Sequence, residues 1–475
     1  MKPLKLFALL FAFYFIACAN KQAKENNETN TVADTSVAVT PQQKDSFATG
    51  QIINNIICKT DASQSFALYI PPKFKTNSLP VIYFFDPHAD GELPLKNYKA
   101  LADKYGFILI GSNNSKNGND WQTTENIWNN LFNDTKNRLS FNQNRIYTCG
   151  FSGGAKVASY VALHHNEIKS VIANSAGLPD DAAAGNFNFS FTGLAGRGDM
   201  NMTDVIALNN ELDKTQTRHR IILFDGKHEW APASTMNIAF AGLQLDAMYN
   251  KVIPKNDVFV HAFIEDSKQR LNGDLKTHHY LQADEECKLS INMLSDLTGE
   301  VDFFETQDAS VINNSAYKQQ LQTEQNLFGI EQNKKAEYQQ QFQQGDMNYW
   351  ASTIGDLQKK SNSATAEGQM YQRLLAYLSL AFYSISNQLI NNNQNDAAQY
   401  FVTLYKMADA TNSEAWYFSA ILNARNNNAK AAEDDLIKAA GYGFNDVNRM
   451  MQQPEFQKLS TQINFAAVES KMNEQ

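Results

Sequence analysis

Eight short apolar runs, separated by stretches of helical spacing, occupy residues 51–250 and constrain this chain most. They read QIINNIIC, SFALYIP, PVIYFFD, GFILIGS, NRIYTCG, KSVIANS, FSFTGLAG and HRIILFDG. Several are almost continuously apolar rather than alternating. Strands covered on both faces by helices have that pattern, and it belongs to parallel sheets. Eight such strands with helices between them predict an α/β fold, its first two strands forming an antiparallel edge hairpin through KTDASQ.

Beyond about residue 251 the character changes. Proline nearly vanishes and long Gln-, Asn- and Ala-rich segments of helical spacing take over. Near the C-terminus Trp416, Ala420, Ala432, Leu436 and Ala439 have the spacing of the packing positions of a tetratricopeptide repeat. Thirty-four residues earlier stand Phe382, Ser386, Ala398, Val402 and Tyr405. The expected organisation is a sheet domain over residues 48–250, a helical linker region over 251–368 and an all-α, tetratricopeptide-like domain over 369–475. The last could recruit a protein partner.

The N-terminus reads separately. Lys2 and Lys5 precede an apolar run from Leu6 to Ala17, too short to span a bilayer but suited to a secretory leader. FIAC, ending at Cys18, resembles a bacterial lipoprotein lipobox. The resemblance implies cleavage before Cys18, lipid on its sulfur and a place in a bacterial cell envelope. Residues 1–17 are then the signal peptide and 18–47 a polar tether that cannot bury enough surface to fold.

Charge excludes some partners. The 475 residues carry a formal net charge of −9 without a basic stripe, so nucleic acid is not an expected ligand. Membrane attachment is expected through the lipid alone. No spacing among the four cysteines and eight histidines suggests a metal site. Cys58, Cys149 and Cys287 form no disulfide framework, and Cys149, inside a predicted buried strand, reads as core.

The chemistry-bearing motif is Gly150-Phe151-Ser152-Gly153-Gly154, which follows the strand RIYTC and opens the helix GAKVASYVALHH. G-x-S-x-G between a strand and a helix is the setting of a nucleophilic serine on a tight turn. Side chains at Gly150 or Gly154 would clash with neighbouring backbone. A serine hydroxyl needs a base, and the base an orienting carboxylate, in the chain order Ser, acid, His. His228 follows the last strand. His164 and His165 lie late on the helix after the motif, His219 precedes the last strand, and His261, His278 and His279 fall in the linker region. Asp199, after the penultimate strand, is the expected acid, over Asp204, which suits a helix cap, and Asp225, three residues before His228. Gly153 is expected to give one backbone donor to an oxyanion. The loop Asp86-Pro87-His88-Ala89-Asp90-Gly91 is expected to give the other, through His88, because Pro87 has no N–H.

With these residues in place, the stretch from Cys58 to Trp230 resembles the α/β-hydrolase superfamily. Within it, SFALYIPPKF, PVIYFFDPHADG, GFILIGSNNSKNG, RIYTCGFSGGAKVA and FDGKHEW are similar to bacterial secreted esterases related to polyhydroxybutyrate depolymerases and feruloyl esterases. The resemblance implies hydrolysis of a small or polysaccharide-linked ester by Ser152, His228 and Asp199, without a cofactor. Many relatives have His-Gly where this chain has Asp86-Pro87. Trp121, Asn114, Asn117 and Trp230 are expected near the acyl or alcohol pocket. The competing readings are a serine peptidase of the same fold and a non-catalytic scaffold lipoprotein.

Overall fold

The computed structural model describes residues 44–73 and 79–474, so the leader, Cys18 and most of the tether lie outside the described residues. All eight apolar runs form strands: β1 (Ile52–Ile57), β2 (Ser65–Tyr69), β3 (Val81–Phe85), β4 (Ile108–Ser112), β5 (Ile146–Phe151), β6 (Ile168–Asn174), β7 (Ser190–Gly196) and β8 (His219–Phe224). They make one sheet in the order β1-β2-β4-β3-β5-β6-β7-β8. β1 pairs antiparallel with β2, and β2 with β4; all other pairings are parallel. This is the mostly parallel eight-stranded sheet of the α/β-hydrolase fold.

The helices between the strands are α1 (Glu92–Tyr105), α2 (Trp121–Arg138), α3 (Gly153–His164) and α4 (Met202–Leu212), and α5 (Ala233–Tyr249) follows β8. Every residue of β3, β4 and β5 is buried, which accounts for their unbroken apolar runs. Successive side chains point to opposite faces. Ile82, Phe84, Leu109, Tyr147 and Cys149 enter one core with Leu95 and Tyr98 of α1 and Phe240 and Leu243 of α5. Val81, Tyr83, Phe85, Ile108 and Ile110 enter the opposite core with Trp128 of α2 and Ala155, Ala158 and Val161 of α3. The small residues of α3 let it lie close on β5, with which the motif serine must connect it. Burial pushes the Cys149 thiol pKa well up, as expected of a core residue.

Residues 251–368 differ from the expected linker. α6 (Asp257–Lys276), α7 (Tyr280–Leu294), α8 (Val301–Asn313) and the start of α9 (Ser315–Gln344) add Val260, Phe263, Leu271, Ala283, Met293, Phe304 and Tyr317 to the same core as Phe240 and Ile222. They are a further layer on the sheet. Their apolar faces read as linker because the surface they cover lies far away in sequence. α9, thirty residues long, passes from this core into a second one, to which it contributes Leu327 and Tyr338.

That second core also holds α10 (Met347–Lys360), α11 (Ala366–Asn391), α12 (Asn395–Ala408), α13 (Ser413–Arg425) and α14 (Ala429–Gly441). Trp350 of α10 is fully buried against Tyr338, Phe342 and Phe382. α11 with α12, and α13 with α14, form successive helical hairpins. Ser386, Ala398, Ala420, Ala432 and Ala439 are all buried, and their small side chains allow close helix approach. Three short helices close the end: α15 (Val447–Gln452), α16 (Pro454–Lys458) and α17 (Phe465–Met472). No helix among the described residues is long and apolar enough to cross a membrane.

Candidate active site

The site lies at the C-terminal ends of the parallel strands, where open α/β sheets gather their chemistry. β5 ends at Phe151 and α3 begins at Gly153, so Ser152 must turn the chain alone. It has φ 53° and ψ −121°, a sparsely populated conformation for a residue with a Cβ, costing about 1–3 kcal/mol. The flanking glycines make the turn possible. A Cβ on Gly150 would fall 2.0 Å from the Gly154 carbonyl oxygen, and one on Gly154 would fall 1.9 Å from the Phe85 carbonyl oxygen. The backbone crossing at this point admits no side chain.

Ser152, His228 and Asp199 come together from the ends of β5, β8 and β7. The Nε2 of His228 lies 2.9 Å from Ser152 Oγ, and its Nδ1 lies 2.9 Å from Asp199 Oδ1. Asp199 is fully buried, whereas His228 keeps about a fifth of its side chain exposed. The carboxylate can only accept, so Nδ1 carries a proton and Nε2 is left to accept from the serine hydroxyl. Asp199 Oδ1 also accepts from the Asn201 backbone N–H at 2.8 Å, which fixes its rotamer. Phe151 packs on the imidazole with ring centres 4.8 Å apart.

The alternatives lie elsewhere. Asp225 is largely exposed. Asp204 lies in the first turn of α4, where burial raises its pKa. His219 bonds Asp213 and the Thr217 carbonyl, and His165 bonds Glu125.

Oxyanion geometry departs from expectation. Gly153 is the first residue of α3, so its N–H has no partner within the helix. The His88 N–H, however, is engaged: it donates to Asp86 Oδ1 at 2.8 Å. The Asp at the end of β3 folds its side chain over the next-but-one residue, an Asx turn that takes the expected donor. The His88 imidazole stands exposed, and the neighbouring Asp86 carboxylate raises its pKa, with a smaller contribution from Glu414 of α13. On the other side, Asn117 presses on Gly153. A Cβ there would fall 1.9 Å from its Oδ1.

The four expected pocket residues separate. Asn117 abuts the elbow at Gly153. Asn114 is a structural staple, its Oδ1 accepting from the Ser65 N–H at 2.8 Å and its Nδ2 donating to the Ser63 carbonyl at 3.3 Å. Trp230 donates its indole N–H to Asp86 Oδ2 at 2.9 Å and packs against Phe84, Tyr98 and Phe151. It ties the histidine loop to the loop after β3. Trp121 stacks on Tyr160 at 4.6 Å, with the rings nearly parallel.

Two buried polar residues were missed. Asn174, at the end of β6, donates to the Glu229 carbonyl and accepts from the Ala231 N–H, both at 2.9 Å, and so holds the histidine loop. Asp86 is the other. Each is a polar residue closing an apolar strand run, and that is the signal that marks them. Away from the site, His261, Glu265 and Glu300 lie together on the surface. The Lys268 ammonium sits 3.0 and 3.1 Å from the two carboxylates.

No family model matches the chain, and no curated protein matches it. Several solved structures are similar in part. An S-formylglutathione hydrolase from Staphylococcus aureus is 11% identical, over 41% of this chain and 98% of its own, with a TM-score of 0.34. A hyperthermophilic esterase from the archaeon Pyrobaculum calidifontis is 11% identical, over 43% and 87%, with a TM-score of 0.34. A ferulic acid esterase is 15% identical, over 40% and 94%, with a TM-score of 0.31. The fold assignment rests on the strand order and pairing described above.

Proposed function

We propose that this chain is an exported serine hydrolase that cleaves carboxylic esters through an acyl-enzyme. The observation that carries the reading is the hydrogen-bonded series Ser152–His228–Asp199, built on a strained turn that only glycine neighbours permit. His228 takes the serine proton as Oγ attacks the ester carbonyl, and Asp199 stabilises the imidazolium that forms. The alcohol leaves with that proton. Water, activated by the same histidine, then releases the acid. The Gly153 N–H faces the developing oxyanion, and the Asn117 amide beside it can turn its NH2 toward the same point. Loss of one such donor typically costs about 3 kcal/mol of transition-state stabilisation. The sequence likeness to secreted esterases supports an ester over a peptide substrate. The leader over residues 1–17, with Cys18 directly after it, supports anchoring in a cell envelope, and a Cys18→Ala chain that stayed with the membrane fraction would argue against it.

The test is reaction of the full chain with a fluorophosphonate probe, together with a panel of p-nitrophenyl and feruloyl esters and peptide amides. Ser152 should be labelled, and esters should turn over faster than amides. Ser152→Ala should lower kcat about 10⁴-fold or more with the fold intact. An unlabelled wild-type chain, or an active Ser152→Ala, overturns the proposal.

A further inference from the structure

The first half of α11 lies against the loop that carries Asp199. Arg373, on this helix, is buried. Its Nε and Nη2 lie 2.8 and 2.7 Å from Oε2 of Glu331 on α9, and Glu331 is itself fully buried. Its Nη1 donates to the Arg197 carbonyl at 2.6 Å. That carbonyl belongs to the peptide unit between Arg197 and Gly198. The N–H of the same unit donates to the Gly226 carbonyl at 2.8 Å. One peptide plane is therefore gripped from both ends, by a helical-half guanidinium and by the loop that leads to His228. The residue after it is Asp199.

Neighbouring contacts repeat the arrangement. Gln372 closes on Gly198 so tightly that a Cβ there would fall 2.3 Å from its Oε1. Gln369 Nε2 lies 3.2 Å from Asp225 Oδ1. The Arg197 side chain is drawn the other way, donating to Glu285 of α7 at 2.5 Å.

A buried ion pair is weak evidence for stability, because well-packed apolar residues of similar size often serve as well. Its geometry is more informative. A guanidinium is a rigid planar fork, and here it holds a carboxylate with one edge and a loop carbonyl with another. Rotation of the gripped peptide would swing Asp199 away from His228 Nδ1. Resting on the catalytic reading of Ser152, His228 and Asp199, we infer that Arg373 is a positioning residue for the catalytic acid, and that α9 and α11 are thereby part of the catalytic unit.

The test uses the full chain. Arg373→Met alone leaves the buried Glu331 carboxylate to Lys335, whose ammonium lies 2.8 Å from Oε1, and the double variant Arg373→Met/Glu331→Leu removes both charges of the Arg373 pair and keeps the volume. Arg373→Lys retains a partner for Glu331 but lacks the fork. For both, kcat should fall about 10- to 100-fold, the scale of a sub-ångström to ångström misplacement of a catalytic group. KM should change by less than about twofold, since the interaction acts on the chemical step. The acid limb of the pH–kcat/KM profile should move to lower pH, because a loosened Asp199 supports the imidazolium less. Wild-type kcat and an unmoved acid limb in folded Arg373→Lys overturn the inference, whether or not the double variant folds.

Titration of the His228 imidazole by NMR reads the same geometry without a substrate. A chain that hydrolyses no ester would sink the catalytic reading alone. The positioning contact would still be supported by a His228 titration moved to lower pH in the Arg373 variants, and refuted by one that stayed in place.

Discussion

The sheet half and the helical half of this molecule use buried polar groups differently. Inside the sheet, β3, β4 and β5 are apolar through most of their length, and polar side chains such as Asp86 and Asn174 appear where strands end, with a buried ion pair, Arg220 and Asp246, tying the edge strand β8 to α5. In the helices beyond residue 251, buried and half-buried ionic and acidic groups sit where layers meet: Arg373 with Glu331, Arg270 with Glu286, and Asp284 beside Asp308. The difference separates two tasks. The sheet supplies rigid strand ends from which reactive side chains project. The helices hold the loops between those ends and cover the face that the sheet leaves open.

The strongest way to break the comparison is to remove one partner. A chain ending at residue 250 would expose Phe240, Leu243 and Met248, which share a core with Phe263, Met293 and Phe304. It should lose cooperative unfolding, each large apolar side chain forgoing roughly 1.5–3 kcal/mol of burial. Thermal denaturation followed by circular dichroism tests this. A sharp transition in the fragment would mean that the halves are independent.

A sharper, smaller probe is Asn117→Ala, which touches only the sheet half. Loss of an oxyanion donor predicts kcat down by about 10²–10³-fold with little change in KM or melting temperature. Wild-type turnover would remove Asn117 from the mechanism and leave Gly153 as the donor there.

The smallest effect lies in the helical layer. Burial, and then the neighbouring Asp284 carboxylate, push the Asp308 pKa up to about 6. The folded chain thus holds this proton more tightly than the unfolded chain, whose Asp titrates near ~4. Stability from this group is present below about pH 4 and lost as pH rises through about 6. Asp308→Asn should therefore melt higher than wild type at pH 7–8, by on the order of 2 °C after allowing for partial exposure, and alike at pH 4. Melting curves across that range would show an equal offset at every pH if the acid pair played no part.

Much of the sheet was legible because two-sided burial leaves a local trace. All eight apolar runs became strands, and the antiparallel hairpin stands at the edge. The glycine spacing around Ser152 was legible as a local motif, although only Gly150 answers to backbone of the turn itself, while Gly154 answers to the Phe85 carbonyl of β3. Side-chain direction left no such trace. Chain order put His88 in the right loop, but nothing in it revealed that Asp86 would turn back and take its N–H. Asn114 stands in a loop after a parallel strand and Trp230 beside His228, and both positions suggest a pocket. Their polar atoms instead meet Ser65, Ser63 and Asp86 from distant parts of the chain. Arg373 was invisible for the same reason: an arginine in a helix carries no sign of the carbonyl it will reach.

The grip of Arg373 on the Arg197 carbonyl also bears on the order in which this protein is made. Synthesis runs from the N-terminus, and early regions fold as they emerge. Ser152, Asp199 and His228 are all present while α9 and α11 are still to be added. A nascent chain, or one cut short in its helical half by a protease or a premature stop, would carry every reactive side chain without the residue that steadies the acid. Such an unfinished product would be a poor hydrolase, and full activity would report that the whole polypeptide had been completed and assembled.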